Sequence, residues 1–260
     1  MIMSDEKQHV LKYLAKGIRY DGRKPLDYRE VSIAYGVSRS AEGSALVKIG
    51  KTEVMAGVKI SIEKPYPDTP DKGNLMVNAE LRPMASPLFE SGPPSDQGIE
   101  LARVVDRGVR ESESIDVHDL VIKAGELVWS VSVDLVAIND DGNLFDACSL
   151  AALAALKDAK MPGKTENNKA DYDNRTNDKL PLKHEPLEIT MFKIGNTVLV
   201  DPSPEEELNF DARLTVACRE DGSLCALQKG GAGELTIEEI DHMIGIALEK
   251  SAWLRKKLAR

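Results

Sequence analysis

The chain has 260 residues, a length that allows one large domain or two closely packed halves. A hydrophobic fraction of 42% and a charged fraction of 30% are typical of a soluble globular protein, and no stretch approaches the roughly 20 apolar residues needed to span a bilayer. We therefore expect no membrane association. The formal net charge of -9 excludes a generally basic surface, so any contact with a polyanion has to be local.

The three cysteines and the first residues predict a reducing compartment. Cys148, Cys218 and Cys225 are odd in number and form no CxxC pair, which favours free thiols over disulfides or a zinc site. Residues 1–16 are polar and periodic, without the apolar core of a secretory signal. We expect a cytoplasmic protein.

The first part of the chain predicts an amphipathic helix, then strands, then two further helices. Ser4 caps the first helix, which carries Val10, Leu11 and Leu14 on its apolar face, and Gly17 ends it. Alternating or continuous apolar residues then predict strands at 31–35, 45–49, 54–62, 75–81 and 127–138, and helices at 98–110 and 145–159.

The same order of strands and helix returns in the second part. Residues 161–185 form a polar connection longer than the roughly 12 to 15 residues usual in compact domains, and we expect it to be flexible. Predicted strands at 187–194, 197–201, 212–218 and 224–227 follow, and Thr236 with Glu239 begins the last helix as a capping box. The sequence predicts one compact α+β unit of two pseudo-repeated sheet-plus-helix halves in layers, residues 1–160 and 186–260, with an extra N-terminal helix.

Three arginines lie on one face of the helix predicted at 98–110. Arg103, Arg107 and Arg110 recur at helical spacing opposite an apolar side. Guanidinium groups along one face can bind a phosphate chain or carboxylates. The alternative is an ordinary solvated face in which acidic residues of the same helix are the partners, namely Glu100, Asp106, Glu111 and Glu113.

Two other stretches are candidates for phosphate or metal chemistry. The glycine turn at Gly142 lies between a strand and a buried helix, as in phosphate-binding loops, but acidic residues surround it, so helix capping is the other interpretation. The acidic stretch 201–207 with Asp211 could hold a magnesium ion, or it could be a solvated connection. The four histidines are scattered and support no metal cluster.

Three stretches together resemble the ribonuclease PH family. They are residues 18–23 (IRYDGR), 100–110 (ELARVVDRGVR) and 200–207 (VDPSPEEE), in matching order over nearly the whole chain. Residues 141–148 (DGNLFDAC) and the extra N-terminal helix are most similar to the non-catalytic ring subunits of the archaeal exosome. The resemblance implies that the chain forms heterodimers with a catalytic ribonuclease PH-like paralogue, that three of these form a ring, and that RNA-binding subunits cap the ring. It also implies that the ring degrades single-stranded RNA from its 3′ end by phosphorolysis.

The departures from the family pattern imply a chain without its own catalysis. Active members carry a Gly-Gly-Ser/Thr turn for phosphate, whereas the equivalent positions here are Gly142, Asn143, Leu144 and Phe145. The carboxylates of active members include an acidic pair and an aspartate six positions later. Glu205 and Asp211 keep that six-residue spacing, but the sequence before them is altered. The resemblance therefore implies no catalytic residue, metal or cofactor in this chain.

By the same resemblance, Arg103 and Arg107 reach toward RNA at the partner's active site. Arg110, one turn further along, is a third candidate for RNA binding, with a role in the subunit interface as the alternative. Other functions stay open: an independently active phosphorolytic exoribonuclease that uses Glu205 and Asp211 with magnesium, or an assembly subunit whose arginines bridge acidic residues of a neighbour. A small-molecule kinase is a third, for which the chain has no adequate glycine- and serine-rich loop.

Overall fold

The structure, a computed structural model, describes residues 5–259 apart from the side chains at positions 5 and 175. Its helices are α1 (Asp5–Leu14), α2 (Asp96–Glu111), α3 (Leu144–Asp158), α4 (Pro204–Glu207) and α5 (Ile237–Lys257). Its strands are β1 (Val31–Tyr35), β2 (Gly43–Ile49), β3 (Thr52–Glu63), β4 (Asn74–Glu80), β5 (Val121–Lys123), β6 (Leu127–Asn139), β7 (Lys160–Lys164), β8 (Ala170–Lys179), β9 (Leu187–Ile194), β10 (Thr197–Val200), β11 (Ala212–Cys218) and β12 (Leu224–Gly230).

Two sheets enclose α3. The first sheet has the order β1-β2-β3-β6-β4 with β5 beside β6, and the second has the order β10-β9-β11-β12. Helix α3 packs on β2 and β3 of the first sheet and on β9 of the second, and every residue of 144–156 is buried. A helix that is apolar on all sides has to lie in a core. The predicted α+β fold in layers is confirmed.

Helix α2 is the crossover between two parallel strands. β4 runs parallel to β6, with Asn74 opposite Ser130 and Glu80 opposite Val136, and α2 lies between these strands in the chain. Ser95 caps the helix by accepting a hydrogen bond from the Gly98 N–H at 3.2 Å. The helix contacts β4, α3 and β12, and its buried residues are Gly98, Leu101, Val104, Val105, Gly108 and Val109.

Several local predictions are confirmed at the level of single residues. Strand β9 and strand β11 have the predicted bounds, and Thr236 and Glu239 form both hydrogen bonds of a capping box at the start of α5. Gly17 has a φ of +71° and its N–H donates to Leu14 O just after α1. The predicted cap at Ser4 lies outside the described residues. In the described part of the chain, no helix is long and apolar enough to cross a membrane.

The connection predicted at 161–185 contains regular structure that the sequence analysis missed. β7 and β8 pair as an antiparallel hairpin, and Ile115 forms an isolated bridge with Leu182. Most side chains of β8 are exposed and polar, so no alternation of apolar and polar residues marks the strand. The flexibility of this segment and the division of the chain at 160 and 186 stay predictions.

A buried ion pair joins the N-terminal loop to α4. Arg19, 1% exposed, donates from Nε to Glu206 Oε1 at 2.9 Å and from Nη1 to Val200 O at 2.8 Å. Its Nη2 also contacts Glu206 Oε2 and Asp201 O. One side chain therefore ties the loop after α1 to the end of β10 and to α4.

We expect Arg19→Ala to lower the free energy of unfolding by about 3 to 5 kcal/mol, because Glu206 is left buried without the cation that pairs with it. Chemical denaturation measures the loss. Arg82→Ala is the control, since Arg82 pairs with Glu80 on the surface, and we expect a loss below about 1 kcal/mol. Equal losses in the two variants would contradict the role given to Arg19.

Candidate functional site

Arg103 and Arg107 share an open groove on the polar side of α2. The groove has a volume of about 390 Å³ and is also lined by Glu100 and by Gln228 of β12. Arg107 Nη2 donates to Gln228 Oε1 at 2.9 Å. The exposed Arg103 side chain forms no hydrogen bond or ion pair with any residue that the structure describes. The groove thus presents one unpaired guanidinium and one held by a neutral amide.

Arg110 has different surroundings from the other two arginines. Its Nη2 donates to Asp106 Oδ1 at 2.7 Å and to Leu75 O at 2.8 Å, and it lines another cavity, with His118 and Lys183. The three arginines predicted to share one face of α2 therefore line two different cavities. Of the acidic partners considered in the alternative reading, Asp106 pairs with an arginine of its own helix, while Glu100 pairs with Arg213 of β11.

The turn before α3 binds a carboxylate of the second half of the chain. Gly142 and Asn143 both have positive φ, +86° and +65°. The Asn143 N–H donates to Glu207 Oε1 at 2.7 Å. A Cβ on Gly142 would lie 2.5 Å from Pro202 O, so this position admits no side chain without a backbone shift. One of the amides at this helix start is therefore already bound by Glu207 and is not available to an anion.

The buried carboxylate of Asp201 accepts hydrogen bonds from two guanidinium groups and one side-chain amide. It accepts hydrogen bonds from Arg29 Nη2 and Arg23 Nη1, both at 2.7 Å, and from Asn143 Nδ2 at 2.9 Å. Arg29 also donates to Gly142 O at 3.0 Å. Burial opposes the ionisation of Asp201, but the hydrogen bonds and charge of Arg29 outweigh it and lower its pKa. These arginines are held by the protein itself.

A largely apolar cavity of about 260 Å³ lies beside the turn. Leu144 and Phe145 line it, and Arg213 is the one basic side chain among the described residues that do. The Arg213 guanidinium lies 4.2 Å from the centroid of the Phe145 ring and pairs with Glu100. Burial raises the pKa of Glu207, at the cavity wall, to about 7. The cavity therefore offers an incoming phosphate mainly carboxyl groups and hydrocarbon, and its one guanidinium is already paired with Glu100.

Glu205 and Asp211, selected by their six-residue spacing, have separate partners away from this cavity. The exposed Glu205 carboxylate accepts from Ser203 Oγ at 2.8 Å. Asp211 accepts from Lys7 Nζ at 2.6 Å and from the Gly195 N–H at 2.7 Å. Among the residues described, no group of three or more His, Cys, Asp or Glu side chains could hold a metal ion.

The residues that the sequence analysis missed are Glu207 and Arg213. They are also six apart and both line the cavity. The spacing of acidic residues could not have indicated this pair, because Arg213 is basic, and only the position of α4 brings Glu207 to the cavity. The assignment of Glu205 and Asp211 as degenerate carboxylate positions stays a prediction, and neither residue lines the cavity.

A buried carboxyl group lies beneath the helix that carries the arginines. Glu188 of β9 is 2% exposed, and a Cβ on Gly108 of α2 would lie 2.5 Å from its Oε1. Its Oε2 has no hydrogen-bond partner among the described residues. Burial raises the pKa of Glu188 to about 8, and the charge of Asp146 adds to this rise. The group is therefore mostly protonated at neutral pH.

Comparison with known proteins identifies the family. Residues 27–162 match domain 1 of the 3′ exoribonuclease family (RNase PH), and residues 184–250 match its domain 2. The chain therefore belongs to the ribonuclease PH family of 3′ exoribonucleases, as the sequence motifs indicated.

Within this family, the chain is similar to archaeal exosome components. It is 44% identical to the exosome complex component Rrp42 of Thermococcus gammatolerans, covering 97% of this chain and 93% of that protein. It is 46% identical to Rrp42 of Methanocella arvoryzae, covering 99% and 97%. A chain in the solved structure of the Archaeoglobus fulgidus exosome with RNA bound to the active site superposes with a TM-score of 0.90 at 46% identity, covering 98% of both chains.

We expect Glu188→Gln to increase stability at alkaline pH. Between the ordinary glutamate pKa of 4.5 and the folded value of about 8, only the unfolded chain loses this proton. The free energy of unfolding of the natural protein therefore falls as pH rises through that window. Glutamine removes this dependence, so the advantage of the variant should grow from pH 5 to pH 8 and then level off, reaching on the order of 2 kcal/mol or more.

Urea unfolding at a series of pH values measures this difference. Glu207 titrates in both proteins, so its contribution cancels in the comparison, whereas Asp146 interacts with Glu188 and part of its titration belongs to the measured difference. Glu126→Gln is the control, because Glu126 is exposed and pairs with Lys123 on the surface, and its effect should not depend on pH in this range. A difference for Glu188→Gln that does not change with pH would contradict the raised pKa.

Proposed function

We propose that this chain is a non-catalytic subunit of the archaeal exosome ring. It pairs with a catalytic ribonuclease PH-like subunit in a hexamer of three heterodimers, capped by RNA-binding subunits, in the cytoplasm. It helps to form the partner's active site and contacts single-stranded RNA during 3′-to-5′ phosphorolysis. The similarity to Rrp42 components of archaeal exosomes over nearly the whole chain supports this assignment.

The observation that carries the non-catalytic role is the hydrogen bond from the Asn143 N–H to Glu207. Phosphorolysis requires a bound phosphate, and its charge has to be stabilised by N–H donors or cations. Here a carboxylate of the chain itself binds the amide at the start of α3. Arg23 and Arg29 are bound to Asp201, and Leu144 and Phe145 contribute only hydrocarbon. This arrangement leaves the chemistry to a partner subunit.

The RNA contact is proposed for Arg103 and Arg107. These side chains line one groove, and Arg103 has no partner in the described part of the chain. A charge-assisted hydrogen bond to a phosphate contributes about 1.5 to 3 kcal/mol. Two such contacts can position an RNA strand without reading its sequence. The net charge of -9 implies that the isolated chain binds RNA weakly.

We expect the purified chain, mixed with poly(A) RNA and phosphate, to release no nucleoside diphosphate. Adding the catalytic paralogue should restore RNA shortening that depends on phosphate. Chromatography of the nucleotides, with native mass measured on the same samples, provides the readout. Release of ADP by the chain alone would contradict the non-catalytic role. Failure of the two chains to form a ring would contradict the proposed pairing.

We expect the double variant Arg103→Ala with Arg107→Ala to weaken the binding of short RNA by the assembled ring. The slope of log affinity against log salt should fall by about 1 to 1.5 units, since each single-strand phosphate contact contributes roughly 0.7. Arg82→Ala with Arg39→Ala is the control with the same change in charge. Unchanged RNA binding and turnover would contradict the RNA contact, and loss of the ring itself would indicate that these arginines bind a neighbouring subunit.

A further inference from the structure

An exposed aromatic cluster lies between α1 and α4, on residues that the proposed function does not use. The ring centroids of Tyr13 and Tyr20 are 5.4 Å apart, and that of His9 lies 5.6 Å from Tyr13 and 6.2 Å from Tyr20. Beside them is an open cavity of about 470 Å³. We call this surface the Tyr20 face; it consists of Glu6, His9, Tyr13, Tyr20, Glu205 and Leu208.

The Tyr20 face exposes more apolar surface than a solvated loop requires. Tyr20 is 67% exposed and Leu208 is 70% exposed, and both line the cavity. Large apolar side chains grouped on a surface mark interaction sites in soluble proteins. Single exposed apolar residues are common on protein surfaces, but Tyr20 and Leu208 line the same cavity, next to the aromatic cluster.

The packing beneath this face fixes it in position. Val10 and Leu14 of α1 pack against Phe192, Ile194 and Leu199 in a separate hydrophobic cluster. The ion pair of Arg19 with Glu206 then holds the loop that carries Tyr20 against α4. A surface held from both sides is preorganised, so a partner does not have to order it on binding.

The charge of the cavity favours a cation. Glu6 and Glu205 line it, and no lysine or arginine does among the described residues. The third carboxylate, of Glu206, is already paired with Arg19. On the outer side, Lys16 Nζ lies 5.8 Å from the Tyr13 centroid, within the range of a cation–π contact. The exposed rings and the carboxylates of Glu6 and Glu205, which form no ion pair with the described residues, are therefore complementary to a positive group that also offers hydrocarbon.

We propose that the Tyr20 face is a docking site for a protein segment that carries an arginine or lysine next to an apolar side chain. The cation would lie over the rings of His9 and Tyr20 and pair with Glu6 and Glu205, while the apolar neighbour would cover Leu208. Arginine combines a flat hydrophobic surface with a charge that is always present, which suits such a site.

Other occupants fit this surface less well. An RNA strand would bring its phosphates next to Glu6 and Glu205, and like charges at short range are repelled. A second copy of the chain would set the same carboxylates against each other in a two-fold contact. A basic segment of a different protein avoids both problems, and the net charge of -9 would favour its approach.

Site-specific photocrosslinking tests this docking site. Tyr20 is replaced by benzoylphenylalanine, and the chain is mixed with the purified catalytic paralogue and with each cap subunit. The matched control carries the same probe at Ile237, which is 82% exposed at the start of α5. We expect the Tyr20 probe to crosslink to one of these proteins at least tenfold more than the control, at a peptide with an arginine or lysine within a few residues.

Charge reversal provides the second measurement. Glu6→Lys with Glu205→Lys should reduce the crosslink at least tenfold, whereas Glu126→Lys with Glu249→Lys, which changes the net charge equally at distant exposed positions, should not. No crosslink above the control, a crosslink to RNA or to a second copy, or a crosslink that survives the charge reversal would each overturn the proposal.

The choice of partners rests on the proposed function, and the two can fail separately. The crosslink yield is read in every mixture, whether or not a ring forms. A mixture that gives the crosslink without a ring contradicts the proposed function only, and a ring without the crosslink contradicts the docking site only.

Discussion

The buried carboxylate of Asp201 determines the arrangement of the region around the Gly142 turn. It is 0% exposed and receives hydrogen bonds from Arg23, Arg29 and Asn143. Asp201 lies at the end of β10 in the second half, whereas the three donors belong to the first half. A buried charge has to be compensated by well-placed donors, so this requirement holds the two halves in one relative position.

The chemistry of the turn follows from this constraint. With Asp201 fixed, α4 places Glu207 where it accepts the hydrogen bond of the Asn143 backbone N–H. Pro202 O lies 2.5 Å from the position that a Cβ on Gly142 would take. The carboxyl groups nearby have their pKa values raised by burial, to about 7 for Asp146 and Glu207. The carboxyl groups of Asp146 and Glu207 therefore lie, hydrogen-bonded to the protein, where a phosphorolytic enzyme would have to bind phosphate. Arg103, in the groove along α2, has no hydrogen-bond or ion-pair partner among the described residues.

Much of the fold could be predicted from the sequence because periodicity is a local property. The apolar run of α3, the capping box at Thr236 and the bounds of β9 all depend on residues that are near one another in the chain. The hairpin of β7 and β8 could not be predicted, since most side chains of β8 are polar and exposed and show no alternation with apolar residues. The four-residue helix α4 is shorter than a periodic pattern can reveal.

The candidate site was predictable only in part, because its contacts join distant residues. The spacing of Arg103 and Arg107 indicated that they share one face of the helix. The contact of Arg110 with Leu75 O depends on tertiary packing, so the spacing could not reveal it. Arg29 lies 172 residues before Asp201, and no local pattern connects them. The six-residue spacing of acidic residues selected Glu205 with Asp211, whereas the fold brings Glu207 and Arg213 to the cavity.

We infer that the chain binds its own carboxylate where phosphate would have to bind. A crystal structure of the chain after soaking in orthophosphate tests this inference. We expect the Glu207 carboxylate to stay within hydrogen-bond distance of the Asn143 N–H and no phosphate to be found at the Gly142 turn. Phosphate bound to that N–H, with Glu207 displaced, would contradict it.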